Sequence, residues 1–269
     1  MLRVRLVFWY MLWCLRFGAR PWRYFQLNAP WFSDSRRIFS KREMDELIPP
    51  KWRLAQEPLR PDSRPSSWPV FLKPEWGQNA RGILIAEDQQ SFDRSRRQLL
   101  SGKLPYLFQE AATGAREFEI FYIRNGTTGN DPAVFSVTET LNSSNLSWPV
   151  NGILNQHTSY KTLTRLTTSD EHRLWQHLEA LPAFRIARIG LRTDSIEDML
   201  EGKFRIIEIN LFVPLPLHLL DKTMPLRERR RFIRASMRKL AQSVKTLPLD
   251  QPRKNIFWPM LLLSCQIRR

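Results

Sequence analysis

Apolar and polar residues alternate with a period of two through the middle of this chain, and with a helical period nearer its ends. Residues 70–73, 83–86, 106–110, 117–123, 133–141 and 204–210 each read as a short strand, with Thr113-Gly-Ala-Arg116 as the turn before the fourth. A polar helix is expected over 91–100. A second helix is expected over 171–181, where Trp175, Leu178 and Leu181 share a face. A third, over 227–244, is basic and amphipathic, with Phe232, Ile233, Met237, Leu240 and Val244 in its stripe. The uncharged run Leu6–Leu15 lies between Arg5 and Arg16. It falls short of the roughly 20 apolar residues that span a bilayer, and Arg16 follows without a small-residue cleavage pattern, so an interfacial or core helix is expected rather than a secretion signal. No internal repeat is visible.

Six prolines between residues 49 and 69 break all periodicity. The expected organisation is therefore a basic, aromatic segment with a Pro-rich linker over 1–68, a core over 69–221, and a basic helix and tail over 222–269. Charge follows the same division. The net charge is +16, made up of +7 in residues 1–68, −2 in 69–221 and +11 in 222–269. A nucleic-acid-binding domain would carry its basic face within the folded body, so nucleic acid is not the expected partner. Basic ends point to an anionic surface, and the aromatic, arginine-flanked run at one end and Ile256–Leu263 at the other suit a membrane interface. Two distant cysteines, Cys14 and Cys265, exclude a disulfide scaffold and a structural zinc site. They suit a reducing, cytoplasmic compartment, with peripheral membrane attachment through the ends. The matches to the glycosylation pattern at Asn125, Asn142 and Asn145 are then chance.

Candidate chemistry lies in the central part. Lys73 ends a strand and is followed by a turn with Gly77, Gln78, Asn79 and Gly82, where backbone N–H groups and an ammonium could meet phosphate oxygens. Neither a Walker loop nor a GxGxxG fingerprint occurs. Glu208 and Asn210 flank Ile209 on one strand and so share a face. With Asp194 they form a set of hard oxygen donors suited to magnesium held together with phosphates. The alternative is a solvated strand face with an aspartate in a nearby turn. The four histidines show no metal spacing and are expected to be surface or satisfied residues. There is no GxSxG elbow. The tryptophans, concentrated in the first 76 residues, are expected to pack the amino-terminal part rather than stack on bases.

In order, Lys73-Pro74, the loop Gly77 to Gly82, Glu110, Gly114-Ala-Arg-Glu117, Arg192-Thr-Asp194 and Glu208-Ile-Asn210 resemble the ATP-grasp superfamily, above all its D-alanine–D-alanine ligase and glutamate-ligase-like branches. The resemblance covers about residues 69–213. It implies an α+β ATP-grasp fold, two α/β subdomains clasping a nucleotide, and an ATP-dependent ligase that activates a small carboxylate as an acyl phosphate for attack by an amine or other nucleophile. Carried over residue by residue, it assigns Lys73 to the ATP phosphates, under the loop Gly77, Gln78, Asn79 and Gly82. Glu110 goes to the adenine, Glu117 to the ribose and Lys161 to a second phosphate contact. Arg192 faces the reacting phosphoryl group, and Asp194, Glu208 and Asn210 hold one or two Mg²⁺ or Mn²⁺.

Two departures concern the acceptor side. The family commonly follows its metal-binding "ExN" with Pro-Gly, whereas Asn210-Leu-Phe-Val-Pro214-Leu has no glycine, and the amino-terminal substrate domain is usually longer than 68 residues. A non-catalytic, degenerate ATP-grasp body that binds a membrane surface or nucleic acid through its ends is the competing expectation. A phosphotransferase on the same fold is a third.

Overall fold

The alternation read from the sequence builds two antiparallel sheets, seen in a computed structural model that describes residues 2–77, 79–125 and 131–266. The helices are α1 (Leu2–Phe17), α2 (Lys41–Glu46), α3 (Gln89–Leu100), α4 (Thr168–Leu178), α5 (Ile196–Leu200), α6 (Leu226–Lys245) and α7 (Phe257–Gln266). The strands are β1 (Gln56–Pro58), β2 (Val70–Pro74), β3 (Leu84–Ala86), β4 (Tyr106–Glu110), β5 (Arg116–Arg124), β6 (Pro132–Asn142), β7 (Thr158–Thr162), β8 (Ile186–Thr193) and β9 (Arg205–Asn210). A small sheet has the order β1-β4-β2-β3 and a larger one the order β7-β6-β5-β8-β9. All six expected strands and all four expected helices form, α1 covering the run Leu6–Leu15. The inner strand β8, with β1 and β7, is added to them.

Each sheet is sided by its period of two. On β5, Phe118, Ile120 and Tyr122 point to one face. With Ala187, Ile189 and Leu191 of β8 they bury against Leu174, Trp175 and Leu178 of α4 and Met199 of α5. The opposite face changes character along its length. At one end Phe121, Ile123 and Ile186 bury against Ile233, Met237, Leu240 and Val244 of α6, which is in turn covered by α1. At the other end the same face carries Glu117, Glu119, Arg188, Arg192 and Glu208, and there it meets the small sheet. The small sheet packs its other side, Val70, Leu72 and Phe108, on Phe92 of α3. β5 can start where it does only because residue 114 is glycine: its φ is +114°, and a Cβ would lie 2.7 Å from the backbone nitrogen of Thr193.

The segment expected to be a linker is built into the body. Trp52 is fully buried, stacks on Phe204 and donates its indole N–H to the Gly202 carbonyl at 2.8 Å, and β1 pairs with β4. Residues 1–68 therefore share a core with 69–221 rather than standing apart from it. The buried Asn28 is a further tie: its amide N–H groups donate to the carbonyls of Ile186 and Leu211, and its oxygen accepts from Arg185 N–H. Trp31, Trp52 and Trp76 pack in the core as expected, whereas Trp22 and Trp68 are exposed. Among the described residues no helix is long and apolar enough to cross a membrane.

His218 departs from expectation. It is buried against the Phe232 ring, and neither ring nitrogen has a hydrogen-bond partner. Burial lowers its pKa to about 4, against the opposing pull of Asp221. Between pH 6.5 and 4 the unfolded chain takes up a proton that the native histidine refuses, so this contribution to stability is complete above pH 6.5 and lost as pH falls towards 4. Denaturant titrations of the wild type and His218→Leu should therefore diverge across that window, the wild type losing about 2–3 kcal/mol more than the variant. Parallel curves would show that His218 is not the titrating group.

Candidate functional site

A cavity of about 330 Å³ lies between the two sheets, within the range of ligand pockets. The small sheet contributes Phe71, Lys73, Gln109 and Glu110. The large sheet contributes Glu117, Glu119, Thr140, Tyr160, Arg188, Arg192, Glu208 and Asn210. The strand period places these residues: Phe71 and Lys73 alternate with the core residue Leu72, and Arg188, Gly190 and Arg192 alternate with Ile189 and Leu191.

Lys73 is buried. Its ammonium donates to Gln109 Oε1 at 2.7 Å and to the Ile207 carbonyl at 3.2 Å, joining the sheets across the cavity. Burial, and then the neighbouring Lys41, lower its pKa to about 7 against the opposing pull of Glu208 and Asp45. Lys41 is positioned by the start of α2. Ser40 caps the helix and also donates to the buried Glu75, both of whose carboxylate oxygens accept from Arg36 Nη1. Lys41 then donates to the Pro74 carbonyl at 3.2 Å. Its pKa too is lowered by burial.

Across the cavity, Arg188 stands between two carboxylates, with Nε 3.1 Å from Glu119 and Nη2 3.5 Å from Glu208. Asn210 donates its amide N–H to Glu208 Oε1 at 2.7 Å. Burial works to raise the Glu208 pKa, but Arg188, Lys41, the Asn210 hydrogen bond and Lys73 outweigh it and hold the carboxylate below its ordinary value. Glu119 shifts the other way, upwards, because burial and the nearby Glu208 and Glu117 outweigh Arg188. Glu117 accepts from Asn151 at 2.9 Å and is also raised by burial. Arg192 lies over the Trp148 ring, 5.4 Å from its centroid, with its Nε unpartnered.

The structure brings together Lys73, Gly77, Asn79, Glu110, Glu117, Arg192, Glu208 and Asn210, all of which line the cavity. Glu110 accepts from Ala55 N–H and pairs with Arg205 at 3.0 Å. Gly82 lies in the same loop with φ +73° but does not line the cavity, and Gln78 lies outside the described residues. Two expected members stand apart. Asp194 follows the end of β8 and accepts from Ala115 N–H at 3.1 Å. The strand register puts Gly190, four residues earlier, opposite Glu208. Lys161 alternates with Tyr160 on the edge strand β7 and is exposed, away from the cavity. Sequence reasoning missed Lys41, Glu119, Arg188 and Tyr160. Alternation with Glu117 and Arg192 was the available signal for Glu119 and Arg188, whereas nothing local marks Lys41.

The donors available for a divalent cation are the ionised Glu208 and the amide oxygen of Asn210, and among the described residues no group of three His, Cys, Asp or Glu could hold one. One carboxylate and one amide fit Mg²⁺ or Mn²⁺ bound chiefly through substrate phosphates and water. At Gly190 a Cβ would meet Glu119 Oε1 at 3.4 Å and Glu208 Cγ at 3.5 Å, so the space beside Glu208 is kept small by the two carboxylates themselves.

No family model and no curated protein matches the chain. Among solved structures, an L-amino acid ligase from Bacillus licheniformis aligns over 81% of this chain and 50% of its own, with a TM-score of 0.50 and 14% identity. D-alanine–D-alanine ligase from Bacillus anthracis complexed with ATP aligns over 77% and 66%, with a TM-score of 0.49 and 10% identity. The enzyme of the same name from Helicobacter pylori aligns over 78% and 59%, with a TM-score of 0.48 and 15% identity. The chain thus spans about half the length of the L-amino acid ligase it is similar to, and at these identities the likeness is one of fold. That fold, two sheets facing each other across a cavity, is the ATP-grasp fold.

Proposed function

We propose that the chain is an ATP-dependent ligase of the ATP-grasp kind, activating a carboxylate as an acyl phosphate that an amine or other nucleophile then attacks. The observation that carries this reading is the pair of desolvated lysines, Lys73 and Lys41, facing an ionised Glu208 with Asn210 across one cavity. A buried ammonium and a half-buried one close enough to repel are each disfavoured, and a polyphosphate between them relieves both. In this reading Lys73 and Lys41 hold the phosphates, and the loop carrying Gly77 and Asn79 covers them. Glu110 and Glu117 hold the nucleoside. Arg192 meets the charge that builds on the transferred phosphoryl group, by positioning and electrostatics. A divalent metal on Glu208 and Asn210 would add charge neutralisation at the same phosphates.

A second reading, a nucleotide-binding body without turnover, is favoured by one feature: Arg188 already occupies one side of Glu208, and the position opposite Glu208 is Gly190, which offers no oxygen. Mg²⁺-dependent ADP release, screened over amino acids and peptides, separates the two. Release that depends on an added acceptor supports the ligase, and ATP binding without release under any acceptor supports the second reading.

Lys73→Ala should raise the dissociation constant for ATP about tenfold or more, equivalent to about 1.4 kcal/mol, in calorimetric titration. Unchanged affinity would remove Lys73 from the phosphate site. Glu208→Gln and Asn210→Ala should each cut turnover roughly a hundredfold with native circular dichroism. Asp194→Asn, off the cavity, should stay within about twofold of wild type. A large loss in the last variant would return Asp194 to the site.

A further inference from the structure

α1 is apolar nearly all round, its only charges being Arg3, Arg5 and Arg16. One side is accounted for: Leu6, Tyr10, Trp13, Cys14 and Phe17 pack on α6 and its neighbours, with Trp13 donating to the Arg234 carbonyl at 3.2 Å and Arg234 and Arg238 lying over Trp9 and Trp13. The opposite side is not. Val4, Val7, Phe8, Met11, Leu12 and Leu15 recur at helical spacing and form a single stripe, 71, 59, 60, 49, 42 and 80% exposed. At 100° per residue Arg5 and Arg16 fall along one edge of that stripe and Arg3 along the other. The basic helix expected to meet a surface, α6, spends its own apolar face on the core, so the free apolar face belongs to α1.

Such a patch marks an interaction site, and the charges around it select the occupant. A second copy laid on the stripe would bring Arg3, Arg5 and Arg16 against their own counterparts in a chain of net charge +16, which like-charge repulsion opposes. A stripe without hydrogen-bonding groups offers nothing to a nucleic acid. An anionic bilayer surface satisfies both parts: the apolar side chains enter the acyl boundary while the arginines extend to the headgroups. At 16 residues the helix is about 24 Å long, short of the hydrocarbon thickness, which suits lying in the interface. α7 adds exposed Phe257, Trp258, Leu261 and Leu262.

We propose that the exposed stripe of α1, with its flanking arginines, seats this protein on the surface of an anionic membrane. This inference is independent of the ligase reading. Flotation with mixed phosphatidylserine–phosphatidylcholine vesicles tests it on the full chain. Wild type should float, and recovery should fall about tenfold with pure phosphatidylcholine or at high salt. Phe8→Glu combined with Leu15→Glu, at exposed positions, should abolish flotation with an unchanged melting temperature. Arg5→Glu combined with Arg16→Glu, which leaves every apolar contact in place, should do the same. Wild type left at the bottom of the gradient with anionic vesicles, or variants that float as well as wild type, would overturn the proposal. So would a wild-type dimer in analytical ultracentrifugation that the Phe8/Leu15 variant converts to monomer, because the stripe would then be an interface between copies.

Discussion

The charge balance of the cavity depends on Arg188. Its guanidinium comes from the middle of β8, where the chain cannot swing away, and it stands between Glu119 on one neighbouring strand and Glu208 on the other. Desolvating two carboxylates on the strands either side of β8 costs several kcal/mol for each uncompensated charge. One buried cation cannot neutralise both, and the outcome is unequal. Glu208, which also has Asn210 and the two lysines, stays ionised, while Glu119 is pushed towards its protonated form. This asymmetry gives the site its polarity, with an ionised acid facing the lysines and a more nearly neutral one behind it.

The same balance connects the two sheets. Lys73 belongs to the small sheet, yet it donates to the backbone of β9 and feels the charge of Glu208. Lys41 reaches the same region from α2, whose start is fixed by the contact of Ser40 and Arg36 with Glu75. Neither lysine finds enough negative charge in the protein to offset its burial, and both titrate below their ordinary range. A site that stores this imbalance binds an anion more strongly than a solvated pair of lysines would, because the cost of desolvating them is met during folding rather than during binding.

Local pattern carried the sequence reading a long way, and it failed where long-range pairing decides. Strand β5 and the pair Glu208 and Asn210 were legible because alternation places side chains without knowledge of neighbours. The expectation for Asp194 rests on motif order alone, which carries no information about strand register. The actual register, with a bulge between Gly190 and Leu191, instead sets a glycine opposite the glutamate. Strand β8 alternates as cleanly as any, but its polar positions, Arg188 and Arg192, face a cavity rather than water, and a solvated strand would look the same in sequence. The prolines of residues 49–69 suggested a linker because proline removes periodicity. The prolines stay at or near the surface, and the segment is tied down by residues between them through contacts such as Trp52 with Gly202, 150 positions apart, which no local window contains.

The cavity has a second, chemically different half. Beyond Asn210 the chain runs through Phe212, Val213, Pro214 and Leu215, and these, with Leu217 and Leu261, form an apolar wall beside the charged one. The missing glycine after Glu208-Ile-Asn210 falls within this stretch, so the wall presents side chains where a glycine turn would present backbone N–H groups. An apolar wall offers water no hydrogen-bond partner beside the charges. The Coulomb energy between Glu208 and the lysines therefore reflects a lower effective dielectric than an open groove would give, and any anion entering at that end gains by the same factor. The charged half and the apolar half of the cavity are thus coupled, because the hydrocarbon beyond Asn210 lowers the dielectric in which Glu208 and the lysines interact.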